Sequence, residues 1–104
     1  MKLPVKFKIA NQEYTVKLVE YLDDREFGEF DCIKAEIRIA KKIRSSFDDE
    51  LYELNEEQIL NTFWHEVFHC FNWHWNTDLD EGLAQSFANF MREYISTKEY
   101  TEPS

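Results

Sequence analysis

The sequence predicts an α+β fold, in which a small sheet of three strands, antiparallel or mixed, is followed by two helices. Apolar and polar residues alternate along the first 40 residues, as they do in strands with one buried face. Residues 55–75 and 78–97 instead carry apolar side chains at helical spacing. The 104 residues include only two Gly and two Pro, which favours long regular elements within a single domain, residues 1–104.

The strands come first along the chain. Alternation over residues 3–9 resumes over residues 14–18 after a polar Asn-Gln pair, and this predicts a β-hairpin. Residues 23–29 are polar and predict a loop, and a second alternating stretch over residues 33–39 predicts the third strand. Residues 41–53 have no clean period, so we expect a connection there, with at most a helical turn.

The first helix has a clear start signal. Asn55 is a good N-cap, Gln58 stands three residues later as its reciprocal partner, and Leu54 can pack on Ile59 across the first turn. An apolar stripe, predicted to pack under the sheet, follows at helical spacing: Leu60, Phe63, Val67, Cys70 and Phe71. The neighbouring aromatic residues are expected in the core and in a pocket wall: Trp64, Phe68, Trp73 and Trp75.

The second helix is predicted from about Asp78 to Thr97, with Thr77 or Asp78 as its cap. Its apolar residues recur at helical spacing: Leu79, Leu83, Phe87, Phe90 or Met91, and Tyr94. The polar tail beyond residue 97 is expected to fray.

The chemically informative segment lies within the first helix, where residues 65–69 read His-Glu-Val-Phe-His. Residues four apart on an α-helix differ by only about 40° around the axis, so His65 and His69 project to the same side and can reach one metal ion. The chain has three histidines, and two of them fall in this motif. Glu66 stands beside them, where a carboxylate can take a proton from a metal-bound water and pass it to a leaving amine. The pattern predicts a Zn²⁺ site.

A catalytic zinc commonly takes three protein ligands, so the sequence leaves a third to be found. Glu81 and His74 compete for this role. If the helix continued through His74, its side chain would point about 180° away from His65, whereas Glu81 could be delivered by an antiparallel second helix. Glu81 could equally be the third residue of a capping box that begins at Asp78. Asp78 and Asp80 are lesser ligand candidates.

Composition excludes several classes of function. A net charge of −9 and a pI near 4.7 argue against binding of nucleic acid, which needs a basic surface. No apolar run resembles a signal peptide or a membrane span, so we expect a cytoplasmic protein that does not bind membranes. Cys32 and Cys70 are then expected to be reduced, with Cys70 facing the core.

Residues 65–69, together with Glu81, Ala84, Phe87 and Ala88, resemble the small gluzincin-type zinc peptidases associated with phages and prophages, particularly the ImmA/IrrE family. The resemblance covers residues 59–91. It implies a zincin-like fold, a zinc held by His65, His69 and Glu81, and an edge strand beside the cleft that pairs with an extended substrate.

Residues 33–39 are the candidate for this edge. The chain departs from the family in having no helix-turn-helix or sensor domain, and it lacks the Gly and third His of metzincins.

Three functions follow as hypotheses. The first is a zinc peptidase that hydrolyses a protein or peptide substrate, with Glu66 as general base. Tyr52 and Tyr94 are candidate donors to the oxyanion, and core packing is the alternative role of each. The second is a non-catalytic, zinc-stabilised protein-binding module. The third is a metal-free interaction protein with an acidic, aromatic surface.

Overall fold

A computed structural model describes residues 3–9, 11–75, 80–97 and 99, without the side chains of Asp24 and Ser96. The described residues have an α+β architecture, as predicted, and form six strands and two α-helices. The strands are β1 (Lys6–Ile9), β2 (Gln12–Val19), β3 (Gly28–Asp31), β4 (Glu36–Ala40), β5 (Lys42–Arg44) and β6 (Leu51–Glu53). The helices are α1 (Glu56–Trp75) and α2 (Glu81–Thr97).

The main sheet is mixed and has four strands in the order β1-β2-β4-β3, one strand more than predicted. β1 and β2 form the predicted antiparallel hairpin, β2 runs parallel to β4, and β4 pairs antiparallel with β3. The additional strand, β3, follows a 3₁₀ turn at Asp23–Arg25, so residues 23–29 are not simply a loop.

The prediction that residues 33–39 form the edge strand beside the cleft is wrong. Residues 33–39 contribute β4, which is hydrogen-bonded on both sides, and the edge strand next to it is β3. The sequence concealed β3 because the strand is only four residues long and two of them, Glu29 and Asp31, are acidic. A short strand with charges on its outer face has too few apolar positions to produce a period of two.

Residues 41–53 are also more regular than expected. They form a second, two-stranded antiparallel sheet from β5 and β6, and Ser45 donates its backbone N–H to the Glu50 carbonyl at 2.8 Å across the turn. Each of these strands has three residues, which is too short for alternation to be read from the sequence.

The core lies between one face of the main sheet and α1. Its buried side chains come from β2, β4 and α1: Tyr14, Val16, Ile37, Ile39, Ile59, Phe63 and Cys70. The opposite face of the sheet carries ion pairs, Lys17 with Glu36 and Arg38 with Glu29. The alternation along β2 and β4 therefore separates a buried face from a solvated one.

Helix α1 begins as predicted. The Asn55 side-chain oxygen accepts the Gln58 backbone N–H at 2.8 Å, and the Gln58 side-chain oxygen accepts the Asn55 backbone N–H at 2.9 Å, which completes a capping box. Cys70 is fully buried, as predicted, and burial raises the pKa of its thiol to about 12. Cys70 and Cys32 are both free thiols.

The apolar stripe of α1 is not buried along its whole length. Phe71, predicted to pack under the sheet, is 41% exposed, and its ring contacts that of Trp75 at a centroid distance of 6.4 Å. Trp75, predicted for the core or a pocket wall, is 53% exposed. The helix has 20 residues and is about 30 Å long, whereas β4 has five, so the last turns of the helix have fewer strand residues to cover them.

Helix α2 packs antiparallel on α1. Glu81, at the start of α2, contacts His65 in the middle of α1, and Arg92, near the end of α2, contacts Glu57 at the start of α1. The buried contact uses Ala84 and Ala88, which allow the helices to approach closely. Two of the residues predicted from helical spacing, Leu83 and Tyr94, are instead exposed. Of the alternatives Phe90 and Met91, Phe90 is exposed and Met91 is half-buried. The predicted residue Leu79 lies outside the described part of the chain. Neither described helix combines the length and the apolar character that crossing a lipid bilayer requires.

Candidate metal centre

The two helices bring three of the predicted site residues into direct contact. Nε2 of His65 lies 2.8 Å from Oε2 of Glu81, and Nε2 of His69 lies 3.2 Å from Oε1 of the same carboxylate. The two imidazole rings are 4.8 Å apart, centroid to centroid. A single carboxylate from α2 thus faces both histidines of α1.

Glu81 reaches this position because α2 begins there. Asp80, and not Glu81, is the capping residue: its Oδ1 accepts the Leu83 backbone N–H at 2.7 Å, and its carbonyl accepts the Ala84 N–H. Glu81 is therefore the first residue of the helix rather than the third, and the predicted capping box with Asp78 does not fit. The caps predicted at Thr77 and Asp78 lie outside the described residues.

Glu66 lies beside the two histidines. One nitrogen of each imidazole and one Glu66 carboxylate oxygen all lie within 4.8 Å of one another, so these three residues could hold a metal ion. Glu66 is 7% exposed, whereas the Glu81 side chain is 72% exposed. One carboxylate is thus enclosed by protein and the other stands at the mouth of the site.

Burial changes the proton affinity of two of these groups. It raises the pKa of Glu66 to about 7, and the nearby carboxylates of Glu81, Glu26 and Glu29 add to the rise. Burial also lowers the pKa of His69, although Glu81 opposes that effect. A neutral imidazole is the form that binds a metal, so the lowered pKa favours ligation.

The donor atoms suit a small divalent metal. Two ligands of a tetrahedral zinc, each about 2.0–2.1 Å from the ion, lie about 3.3 Å apart. The nitrogen-to-oxygen distances of 2.8 and 3.2 Å are close to that spacing. Two imidazoles and a carboxylate are also a ligand set that zinc accepts.

The other candidates lie elsewhere. Helix α1 continues without a break to Trp75, so His74 is on the side opposite His65, where its ring contacts Trp75 at a centroid distance of 5.1 Å. Tyr52 is in β6 and donates its hydroxyl to Asp48 at 2.5 Å. Tyr94 is half-exposed on α2. Neither tyrosine lines the cleft that contains the histidines.

This cleft has a volume of about 680 Å³ and lies between α1, α2 and the segment that leads into β3. A second hollow of about 540 Å³ shares Gly28, Glu66 and His69 with it and continues along β3 toward Cys32 and Trp73. Both hollows therefore meet at Glu66 and at the start of β3.

Sequence reasoning missed several residues of the cleft wall. Gln58, Asn61 and Thr62 extend the histidine face of α1 toward its N-terminus, and Arg92 lies at the far end of the cleft, where it pairs with Glu57 at 2.5 Å. The residues on α1 could have been found by continuing the spacing of three and four residues backward from His65. Gly28 gave no such signal, because its place depends on the tertiary packing of β3.

Comparisons of the chain with protein-family models, curated proteins and solved structures found no match.

Proposed function

We propose that this protein is a zinc-dependent peptidase with a zincin-like fold. The observation that carries the proposal is the Glu81 carboxylate, which contacts Nε2 of both motif histidines from a separate helix. Histidines four residues apart occur on many helices, but a carboxylate that meets both of them forms a three-ligand set open on one side.

Two carboxylates could supply the oxygen ligand, and we assign that role to Glu81. Its two oxygens lie at 2.8 and 3.2 Å from the imidazole nitrogens, and its exposed position leaves room for a substrate beside it. Zinc bound by His65, His69 and Glu81 would supply Lewis-acid activation of a water molecule and of the scissile carbonyl.

Glu66 is then the proton-transfer group. Its carboxylate is enclosed, and its pKa of about 7 allows it both to accept and to return a proton near neutral pH. In peptide hydrolysis it would accept a proton from the attacking water and deliver it to the nitrogen of the leaving amine. The side chain lies on the same helix as both histidines, so the base and these two ligands are held by one rigid element.

The substrate class follows from the sheet. Among the described strands, β3 is paired only with β4, and its other edge lies beside both hollows that meet at Glu66. An extended peptide that adds to this edge would use main-chain hydrogen bonds, which suit many sequences. We therefore place the substrate along β3 instead of along β4.

Replacement of the general base tests the proposal. The zinc-loaded protein is incubated with a reduced, alkylated protein that serves as an unfolded substrate, and new termini are identified by mass spectrometry. We expect cleavage by the wild type and a loss of at least about 100-fold in Glu66→Gln. Glu13→Gln makes the same chemical change at an exposed site on β2 and should leave the rate unchanged.

Equal cleavage by Glu66→Gln would contradict the mechanism. If the wild type binds zinc and cleaves nothing, the peptidase proposal fails in favour of the zinc-stabilised binding module.

A further inference from the structure

Gly28, the first residue of β3, lies directly against the helix that carries the metal ligands. A Cβ atom added there would lie 2.6 Å from Cγ2 of Thr62, 3.2 Å from Cγ of Glu66 and 3.3 Å from the Arg38 carbonyl oxygen. The first distance is far below the van der Waals contact of two carbon atoms, about 3.5–4.0 Å. Only glycine fits at this position without movement of its neighbours.

The neighbours have little freedom to move. The Thr62 hydroxyl donates to the Gln58 carbonyl at 2.9 Å, so the methyl group cannot turn aside without moving the hydroxyl from that acceptor. The Arg38 carbonyl belongs to the central strand β4, whose main chain is paired on both sides. Glu66 is the remaining group that could yield, and its side chain reaches the centre of the candidate site.

We propose that Gly28 is a positioning residue for Glu66. Because glycine has no side chain, the edge strand β3 can lie directly against α1, and this contact keeps the Glu66 carboxylate between the strand and the two histidines. A side chain at residue 28 would move Glu66 or push β3 away from the helix. Since Gly28 lines both hollows, either movement would alter the relation between the substrate edge and the general base. The consequence for catalysis rests on the proposed function, whereas the steric role does not.

Because the closest contact is a single methyl group, the test is a double-variant cycle. Gly28→Ala introduces the contact, and Thr62→Ser removes the opposing Cγ2 atom. The chelated protein, ¹³C-labelled in its glutamates, is examined by NMR, and the Glu66 carboxyl signal is assigned by its absence in Glu66→Gln. We expect that signal to move in Gly28→Ala and to return in Gly28→Ala/Thr62→Ser toward its position in Thr62→Ser, while the Glu13 signal stays in place.

Peptide hydrolysis by the zinc-loaded variants gives a second readout. Misplacement of a catalytic group can reduce turnover by about 100-fold, so we expect a loss of that order in kcat for Gly28→Ala and recovery in the double variant. Zinc content should be unchanged, since none of the three atoms nearest to the added Cβ belongs to a proposed ligand. Gly82→Ala, at the other glycine of the chain, is the matched control, because an added Cβ there would lie 3.4 Å from Oδ1 of Asp80, which is an ordinary contact.

An unmoved Glu66 signal in Gly28→Ala would overturn the proposal. A displaced signal that Thr62→Ser does not restore would support it through the direct contact of residue 28 with Cγ of Glu66 and not through Thr62. If Gly28→Ala does not fold, Gly28→Ala/Thr62→Ser is compared directly with Thr62→Ser. If the double variant also does not fold, that result counts against the proposal. The NMR experiment does not depend on hydrolysis. An inactive wild type would therefore contradict the proposed peptidase function, while the NMR result would still decide the steric role of Gly28.

Discussion

The buried carboxylate of Glu66 distinguishes this site from a surface pair of histidines. An ionised carboxylate is costly to enclose unless it is compensated, and here the neighbouring carboxylates of Glu26, Glu29 and Glu81 add to the cost. Glu66 thus opposes folding of the metal-free protein at neutral pH. The proposed role of Glu66 in proton transfer would account for a residue that destabilises the fold at this position.

Glu66→Gln should therefore stabilise the metal-free protein by roughly 1 to 3 kcal/mol at pH 8. The pKa of Glu66 is raised from 4.5 to about 7, so the folded state binds more protons than the unfolded state between these values, and stability falls as the pH rises through this range. The gain from glutamine should shrink as the pH falls from 8 toward 4.5. Urea unfolding in chelator at several pH values measures it.

Glu13→Gln is the control, since its carboxylate is exposed. Equal stability of Glu66→Gln and wild type at pH 8, or a gain that does not change with pH, would show that Glu66 is not a buried charge.

At the residue level, the sequence predicted which side chains lie close together better than it predicted the residues that surround them. His65, Glu66 and His69 could be identified because the motif is local and helix geometry fixes their directions. Glu81 could only be ranked above His74, because its approach depends on how α2 packs. Gly28 could not be recognised, since its importance lies in the Thr62 methyl group, which is distant in sequence.

At the level of elements, the position of α2 determines whether Glu81 reaches the histidines. The helices touch through Ala84 and Ala88, which are almost completely buried. Ala84 lies one turn beyond Glu81 in the chain. Any increase in the separation of the helices at this point would withdraw the carboxylate from α1.

Ala84→Leu should destabilise the protein by about 1–3 kcal/mol, because a larger side chain overpacks the helix contact. It should also weaken zinc binding, although residue 84 is not a ligand. Denaturant unfolding and competition with a zinc chelator measure the two effects. Ser86→Leu introduces the same residue at an exposed position of α2 and should change neither quantity appreciably. Zinc affinity equal to that of wild type in Ala84→Leu would mean that α2 does not position the ligand.

The elements also differ in how far the sequence predicted them. Long elements with one apolar face, β2 and the two helices, were recognisable from their periodicity. The short strands β3, β5 and β6 were not, because three or four residues with several charges carry no period. The omission of β3 then led to the wrong edge strand, since the order of strands depends on pairing between distant segments.

At the scale of the whole molecule, the candidate site joins parts that are separate in sequence. α1 packs on the main sheet, α2 packs on α1, and Glu81 contacts the histidines across that helix contact. A metal bound by both helices would therefore add a link between them and would stabilise the folded state by mass action. The α+β class could be predicted from the sequence, whereas the parallel pairing of β2 with β4 and the packing that creates the cleft could not.

Elemental analysis of the purified, untagged protein tests the central claim most directly. We predict about one zinc per chain in the wild type and in Glu66→Gln, less in Glu81→Ala, and none in His65→Ala/His69→Ala. Loss of zinc in Glu66→Gln with full retention in Glu81→Ala would reverse the roles of the two carboxylates. A wild type that holds no zinc even after reconstitution would contradict the account, and the motif would then be an ordinary surface of a helix.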